Sequence, residues 1–212
     1  MVNYIEPTTK RRILDSAAKL FAEKGFTETS IRELAEVVGL NPASLYHHFP
    51  SKNALLEHML EDYSTYNNGV FGSRDISGVL RANPTTDGIL ACMQTSFPPD
   101  RSEYYLQVLN VMMQEQFRNP IVREYMTTRI ILQAEDNMKR ITDELKGLGI
   151  IRQDCDPDYW TKAISSLFYA FATRMMLDIG DNKPEYSGMG MVEMIRYTLD
   201  MMLERLGVPQ NA

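Results

Sequence analysis

The stretch Ser30 to Lys52, SIRELAEVVGLNPASLYHHFPSK, carries the spacing of two short helices broken by one glycine. Ser30 and Glu33 form a capping box, in which the hydroxyl takes a backbone N–H at the helix start while the carboxylate reaches back to the cap. Ile31, Leu34, Ala35 and Val38 follow at i, i+3, i+4 and i+7, which buries one face of about two turns. Gly39 ends this helix, because the residue just past a helix end commonly adopts a left-handed backbone that glycine accepts without steric penalty. Leu40 plugs the corner. Asn41-Pro42 supplies a favoured N-cap followed by proline at the first helical position, where a missing N–H costs nothing. In this second helix Leu45 and Phe49 share an inward face, which turns Pro42, Ala43, Tyr46 and His47 outward and leaves Ser44 at the edge. Small side chains at a helix N-terminus permit close entry into the major groove, so the pattern is that of a helix-turn-helix that reads DNA. Pro50-Ser51 stops the helix and caps the next one, placing Lys52 where its ammonium could reach a phosphate.

Working outward, KRRILDSAAKLFAEKGFTETS at 10–30 and LYHHFPSKNALLEHML at 45–60 complete a longer pattern. In order and spacing this region resembles the DNA-binding domain of the TetR family of transcriptional regulators. The resemblance covers about the first third of the chain. It implies an all-α protein in two parts: a three-helix helix-turn-helix domain over residues 7–67, and a larger helical effector-binding and dimerisation domain over 68–212. It further implies that Pro42, Ala43, Ser44, Tyr46 and His47 face DNA and that Thr29, Ser30 and Lys52 touch phosphates. Asn41, at the start of the same helix, is counted with them. One departure is Asn53-Ala54, where the family often has acidic residues; this weakens the first turn of the following helix.

Charge at first argues against a nucleic-acid partner, since the net charge of the 212-residue chain is −6. Its distribution answers the objection. Residues 1–60 hold seven Lys/Arg and seven Asp/Glu, so the whole acidic excess lies in residues 61–212. Lys10, Arg11 and Arg12 cluster before the first helix, where they could meet a sugar-phosphate backbone or simply be solvated. Apolar residues make up 44% of the chain, enough for a sizeable core. No stretch approaches the roughly 20 apolar residues of a membrane span, and the N-terminus lacks a signal-peptide apolar run, so a cytoplasmic location is expected. Cys92 and Cys155 stand far apart without a ligand pattern and read as ordinary thiols.

Beyond residue 68 five further helical segments are expected. A loop around one short helix occupies 69–84, and helices follow at about 86–97, 100–118, 120–147, 157–180 and 189–206. The last two are apolar on more than one face. Val192, Ile195, Leu199, Met202 and Leu206 form one stripe, with Met191, Met194 and Met201 as a second edge. Trp160, Ile164, Leu167, Phe168, Phe171 and Met175 line one side of the other helix. Helices of this kind are buried on more than one side. Two per chain suit an intermolecular four-helix bundle, so a homodimer through about 157–180 and 189–206 is expected, gripping two DNA half-sites. The alternative is burial of both helices in their own core.

The sensor is expected between these ends. Tyr104, Tyr105, Leu109, Met112, Met113 and Phe117 stack along one helix, and 14 methionines are many for this length. Thioethers adapt to apolar ligands, although such stripes also build plain cores. Effector binding is expected from Met93, Phe97, Tyr104, Met112, Phe117 and Phe168.

Chemical constellations fail on inspection. Asp154-x-Asp156-x-Asp158 imitates a calcium loop, but Tyr159 and Ser165 stand where glycine and glutamate are required. Gly188-x-Gly190 lacks the third glycine of a dinucleotide fingerprint. His47, His48 and His58 have no nucleophile or metal-ligand order beside them. No catalysis, cofactor or metal is required. The expected function is a DNA-binding repressor, released from a palindromic operator by a small apolar or amphipathic effector. The alternatives are a helical small-molecule-binding enzyme and a protein-docking module that retains the helix-turn-helix.

Overall fold

A computed structural model of the chain describes residues 8–72, 75–93, 101–180 and 188–207. Among the described residues the only regular elements are helices, with one isolated β-bridge between Ile151 and Gly207. The helices are α1 (Thr9–Lys24), α2 (Ile31–Val38), α3 (Pro42–His48), α4 (Lys52–Gly72), α5 (Ile76–Ala82), α6 (Thr86–Met93), α7 (Ser102–Glu115), α8 (Pro120–Tyr125), α9 (Leu132–Gly147), α10 (Pro157–Gly180) and α11 (Gly188–Leu206). They form two compact units that interleave along the chain: Met1–Tyr66 with Phe97–Met126, and Asn67–Ser96 with Thr127–Ala212. The chain first passes from one unit to the other between Tyr66 and Asn67. The return of α7 and α8 to the N-terminal unit has no counterpart in a simple two-part division.

In the first unit α1 packs on α2 and α7, and α2 packs on α3. Ile13, Ala17, Ala18 and Phe21 of α1, Leu34 and Ala35 of α2, and Leu45 of α3 are all buried. Each fully buried Leu, Ile or Phe contributes roughly 1.5–3 kcal/mol relative to exposure, which makes this apolar set the main source of the unit's stability. Phe21 and Phe26 meet edge to face, 5.1 Å between centroids. On the far side α7 is tied to α4, because the Arg101 guanidinium donates to Asp62 at 2.8 Å and stacks 4.1 Å over the Tyr104 ring.

In the second unit α10 packs on α9 and α11, α5 on α6 and α9, and α6 on α11. Leu80, Ile89, Cys92, Ile141, Leu145, Ile151, Ile164, Leu199, Met202 and Leu206 fill its centre. Cys92 and Cys155 are both buried and neither is in a disulfide. Polar ties run over the rim: Ser77 donates to Glu144 at 2.8 Å, Thr86 to Asp200, and Arg196 to Asp87.

Three details differ from the periodicity. The expected loop beginning at 69 is helical as far as Gly72, since one glycine weakens a helix without ending it. The long helix after Asn119-Pro120 exists as α8 and α9, joined by a π-helical stretch over Met126–Ile131. Spacing of apolar residues gives little notice of such a widening, which adds a residue to the turn. Of the expected helix over 100–118, α7 is formed, while its expected cap Asp100 lies outside the described residues.

Candidate nucleic-acid interface

The helix-turn-helix is built by local chemistry at each joint. Ser30 caps α2, its Oγ accepting the Glu33 N–H at 3.1 Å. The Glu33 carboxylate pairs with Lys24 of α1, and the ammonium holds its pKa below the usual carboxylate range. Gly39 follows α2 at φ 77° and ψ 33°, and its N–H returns to the helix end, which is the left-handed stop that the sequence implies. Asn41 caps α3, its Oδ1 accepting the Ser44 N–H at 2.8 Å. Ser51 does the same for α4 through the Ala54 N–H at 2.9 Å.

These caps present one face of α3 to solvent. Leu45 and Phe49 are buried beneath it, whereas Asn41, Pro42, Ala43, Tyr46 and His47 are exposed and Ser44 is half-exposed. The outward set is therefore the one that the spacing implies. It offers two small side chains at the helix N-terminus, a phenol and an imidazole, with the positive end of the helix dipole behind them. Such a surface can approach the floor of a groove closely and donate or accept hydrogen bonds there.

The residues expected to touch phosphates behave differently. Ser30 is exposed. Thr29 is 1% exposed, and its hydroxyl donates inward to the Gly25 carbonyl at 2.9 Å. Lys52 turns its ammonium onto the carbonyls of Phe26, Thr27 and Thr29 at 2.7, 3.2 and 2.9 Å, and sits 4.5 Å over the Phe26 ring. Its three donors are thus engaged within the protein. In the DNA-free chain the side chains at 29 and 52 thus turn inward and hold the loop between α1 and α2. Partial burial pulls the Lys52 pKa down, opposed by the negative charges of Glu115 and Glu28. The basic cluster is partly engaged as well. Arg12 donates to the last carbonyl of α2, Val38, at 2.7 Å, and Arg11 pairs with Asp15 at 3.1 Å.

One residue of this neighbourhood escaped the sequence reading. Glu115 ends α7 and is 8% exposed, and its carboxylate accepts the Phe26 N–H at 3.1 Å. The signal was present: Tyr104, Val108, Val111 and Glu115 fall on one buried face at steps of four, three and four, so a carboxylate stands in an apolar stripe.

The expected effector residues fall in both units. Tyr104 and Met112 are buried in the first unit, where Tyr104 is covered by Arg101. Burial and the nearby Asp62 charge push the Tyr104 phenol well above its usual pKa. Phe117, expected inside, is 75% exposed just past the end of α7, where the stripe has already ended. Met93 is half-buried against the core of the second unit. Phe97 and the side chain of Phe168 lie outside the described residues. The second unit also has a groove of about 730 Å³ lined by Arg152, Trp160, Thr198, Met201, Met202, Glu204 and Arg205, none of them among the expected effector residues. No described helix is long and apolar enough to cross a membrane.

Comparison with known proteins agrees with this geometry. Residues 13–59 match the family of bacterial regulatory proteins, tetR family. The HTH-type transcriptional repressor KstR2 of Rhodococcus jostii is 35% identical over 82 residues, covering 36% of this chain and 40% of that protein. The chain thus spans about two fifths or less of the length of the first curated relatives that it matches. Among solved structures, GusR of Salmonella enterica superposes with a TM-score of 0.63 at 22% identity, covering 95% of this chain and 98% of that one. The ketosteroid transcriptional regulator KstR2 of Mycobacterium tuberculosis gives 0.62 at 17% identity, over 98% and 97%. At those identities the likeness establishes the all-α fold alone.

Proposed function

We propose that the chain, whose residues 13–59 match the tetR family of bacterial regulatory proteins, is a sequence-specific DNA-binding transcriptional regulator. Its homodimer grips a palindromic operator and acts as a repressor released by a small apolar or amphipathic effector. The observation that carries this reading is the α3 surface: Pro42, Ala43, Tyr46 and His47 are exposed on a helix anchored by its caps and its buried Leu45. Asn41 and Ser44 flank them, and Ser30 stands exposed at the start of α2 as a phosphate contact.

The dimer reading draws on the second unit. Ile195, Leu199, Met202 and Leu206 of α11 are buried in their own core, so they are satisfied within one chain. Met194, Tyr197 and Met201 of the same helix and Tyr159 of α10 are left about half or more exposed. An apolar second edge beside a filled first one is what a partner helix pair would cover. Effector release is then a shift between dimer geometries, in which effector and operator must weaken each other by the same factor. The family match and the named relatives are regulators, which disfavours the enzyme alternative. A cytoplasmic location goes with this reading.

The test is selection of bound sequences from random duplex DNA by the purified protein, followed by titration of the best site at two salt concentrations. A palindromic site with steep salt dependence is expected. A folded protein that binds no site more tightly than random duplex would overturn the proposal.

A further inference from the structure

The geometry points to Glu115 as a positioning residue for DNA reading: the last turn of α7 and the first residue of α4 clamp the loop 25–29 that leads into the helix-turn-helix. The inference rests on the regulator reading and goes beyond it by naming what sets the pose of α2 and α3.

The loop has no regular structure of its own, and its backbone groups are satisfied from two sides. On one side the Phe26 N–H donates to Glu115 at 3.1 Å. On the other Lys52 donates to the carbonyls of residues 26, 27 and 29. Gln114, the neighbour of Glu115, adds a bond from its amide to the Ala22 carbonyl at 3.0 Å, so α7 holds both the last turn of α1 and the loop beyond it. Directly after the clamped loop stands Ser30, the cap from which α2 starts. A buried carboxylate that accepts a neutral N–H is costly unless an opposite charge offsets it. Lys52 supplies that charge, and Glu115 in turn supports the charged form of Lys52. Carboxylate, peptide unit and ammonium form one chain, and a hydrogen-bonding group without charge at 115 keeps only part of it.

Loss of this chain frees the loop while leaving the apolar contacts of α1, α2 and α3 in place. The recognition surface then survives with its entry angle less defined. Specific binding, which requires two recognition helices at fixed spacing, suffers more than contact with random duplex.

The experiment compares the wild-type 212-residue chain with Glu115→Ala, Glu115→Gln and Lys52→Ala. The probes are the selected operator and a random duplex of equal length, alongside solution mass, thermal unfolding and amide hydrogen exchange of the DNA-free protein. Expected for Glu115→Ala is faster exchange confined to residues 26–30, an unchanged mass, operator affinity down about tenfold or more, and random-duplex affinity within about twofold. Glu115→Gln should fall between it and the wild type. Lys52→Ala should show the same loop exchange with the salt slope of operator binding unchanged. Wild-type operator affinity in Glu115→Ala overturns the positioning role, as do equal losses on both duplexes. A salt slope lowered by about one in Lys52→Ala would show that Lys52 leaves the loop for a phosphate, which also overturns the clamp. Failure of the regulator reading is seen separately, in a wild-type protein that selects no site at all; loop exchange in the DNA-free variants still decides whether the clamp exists.

Discussion

Helices α3 and α11 both leave large side chains in solvent, but they do so with different chemistry. On α3 the exposed residues are proline, alanine, a tyrosine 48% exposed and two histidines, laid over a face that Leu45 and Phe49 have already anchored. On α11 they are Met194, Tyr197 and Met201, laid beside Ile195, Leu199, Met202 and Leu206. The first surface keeps hydrogen-bonding groups at the tips of short or aromatic side chains, and water satisfies it until a polar partner arrives. The second consists of thioethers and a phenol ring whose apolar area gains by being covered, at about 25 cal/mol per Å². Exposure alone therefore does not distinguish the two surfaces; the chemistry of what is exposed does.

The largest expected effect comes from spoiling the apolar surface. Replacing Tyr197 and Met201 together by glutamate should convert the dimer to single chains and reduce operator affinity about 100-fold or more, since two linked half-site contacts become one. Sedimentation equilibrium and operator titration measure both. A mass that stays at two chains would remove this face from the interface and weaken the contrast with α3.

A smaller effect belongs to the polar surface. His47→Ala and Tyr46→Ala should each cost about 1–3 kcal/mol on the selected operator, with mass and random-duplex binding unchanged. Titration against operators altered at single base pairs would locate each contact. Losses that are uniform across sequences would make these residues backbone contacts instead of base readers.

The contrast also explains what was legible in advance. The joints of the helix-turn-helix could be read because each rests on one or two residues of restricted chemistry: Ser30 with Glu33, Gly39, Asn41 with Pro42, and Ser51 all cap or stop where their types require. The outward face of α3 followed from them. Where Lys52 would send its ammonium was not legible, because a long flexible side chain chooses among partners that are close only after folding. Thr29 and Glu115 depend on the same loop, 86 residues from Glu115 in sequence at Thr29, and no local pattern joins them. The effector residues were least legible. A stripe of Tyr104, Met112 and Phe117 fixes a helix face but not what fills the space beside it, and in Tyr104's case that is Arg101.

The smallest effect lies beneath the reading unit. Burial raises the Asp15 carboxyl above its ordinary range in spite of the Arg11 guanidinium, so the folded state holds this proton more tightly than the unfolded chain. Such a group favours the fold below the carboxylate range and loses that advantage as pH rises through its folded value. Asp15→Asn should therefore be slightly more stable than the wild type at neutral pH, by less than about 0.5 kcal/mol after solvent screening. The difference should vanish near about pH 3, where both forms are neutral. Denaturant melts at the two pH values check this; a less stable variant at neutral pH would show that the Arg11 pair outweighs the burial.

Cys92 and Cys155 are the chain's two cysteines, and both lie buried in the second unit. The first unit contains none, so the natural sequence already carries a built-in spectator and reporter pair. A thiol reagent added to the intact protein therefore reports on opening of the second unit. A compound that seats itself in that unit should slow the labelling of one or both thiols, giving a screen for effectors that needs no operator and no engineered label.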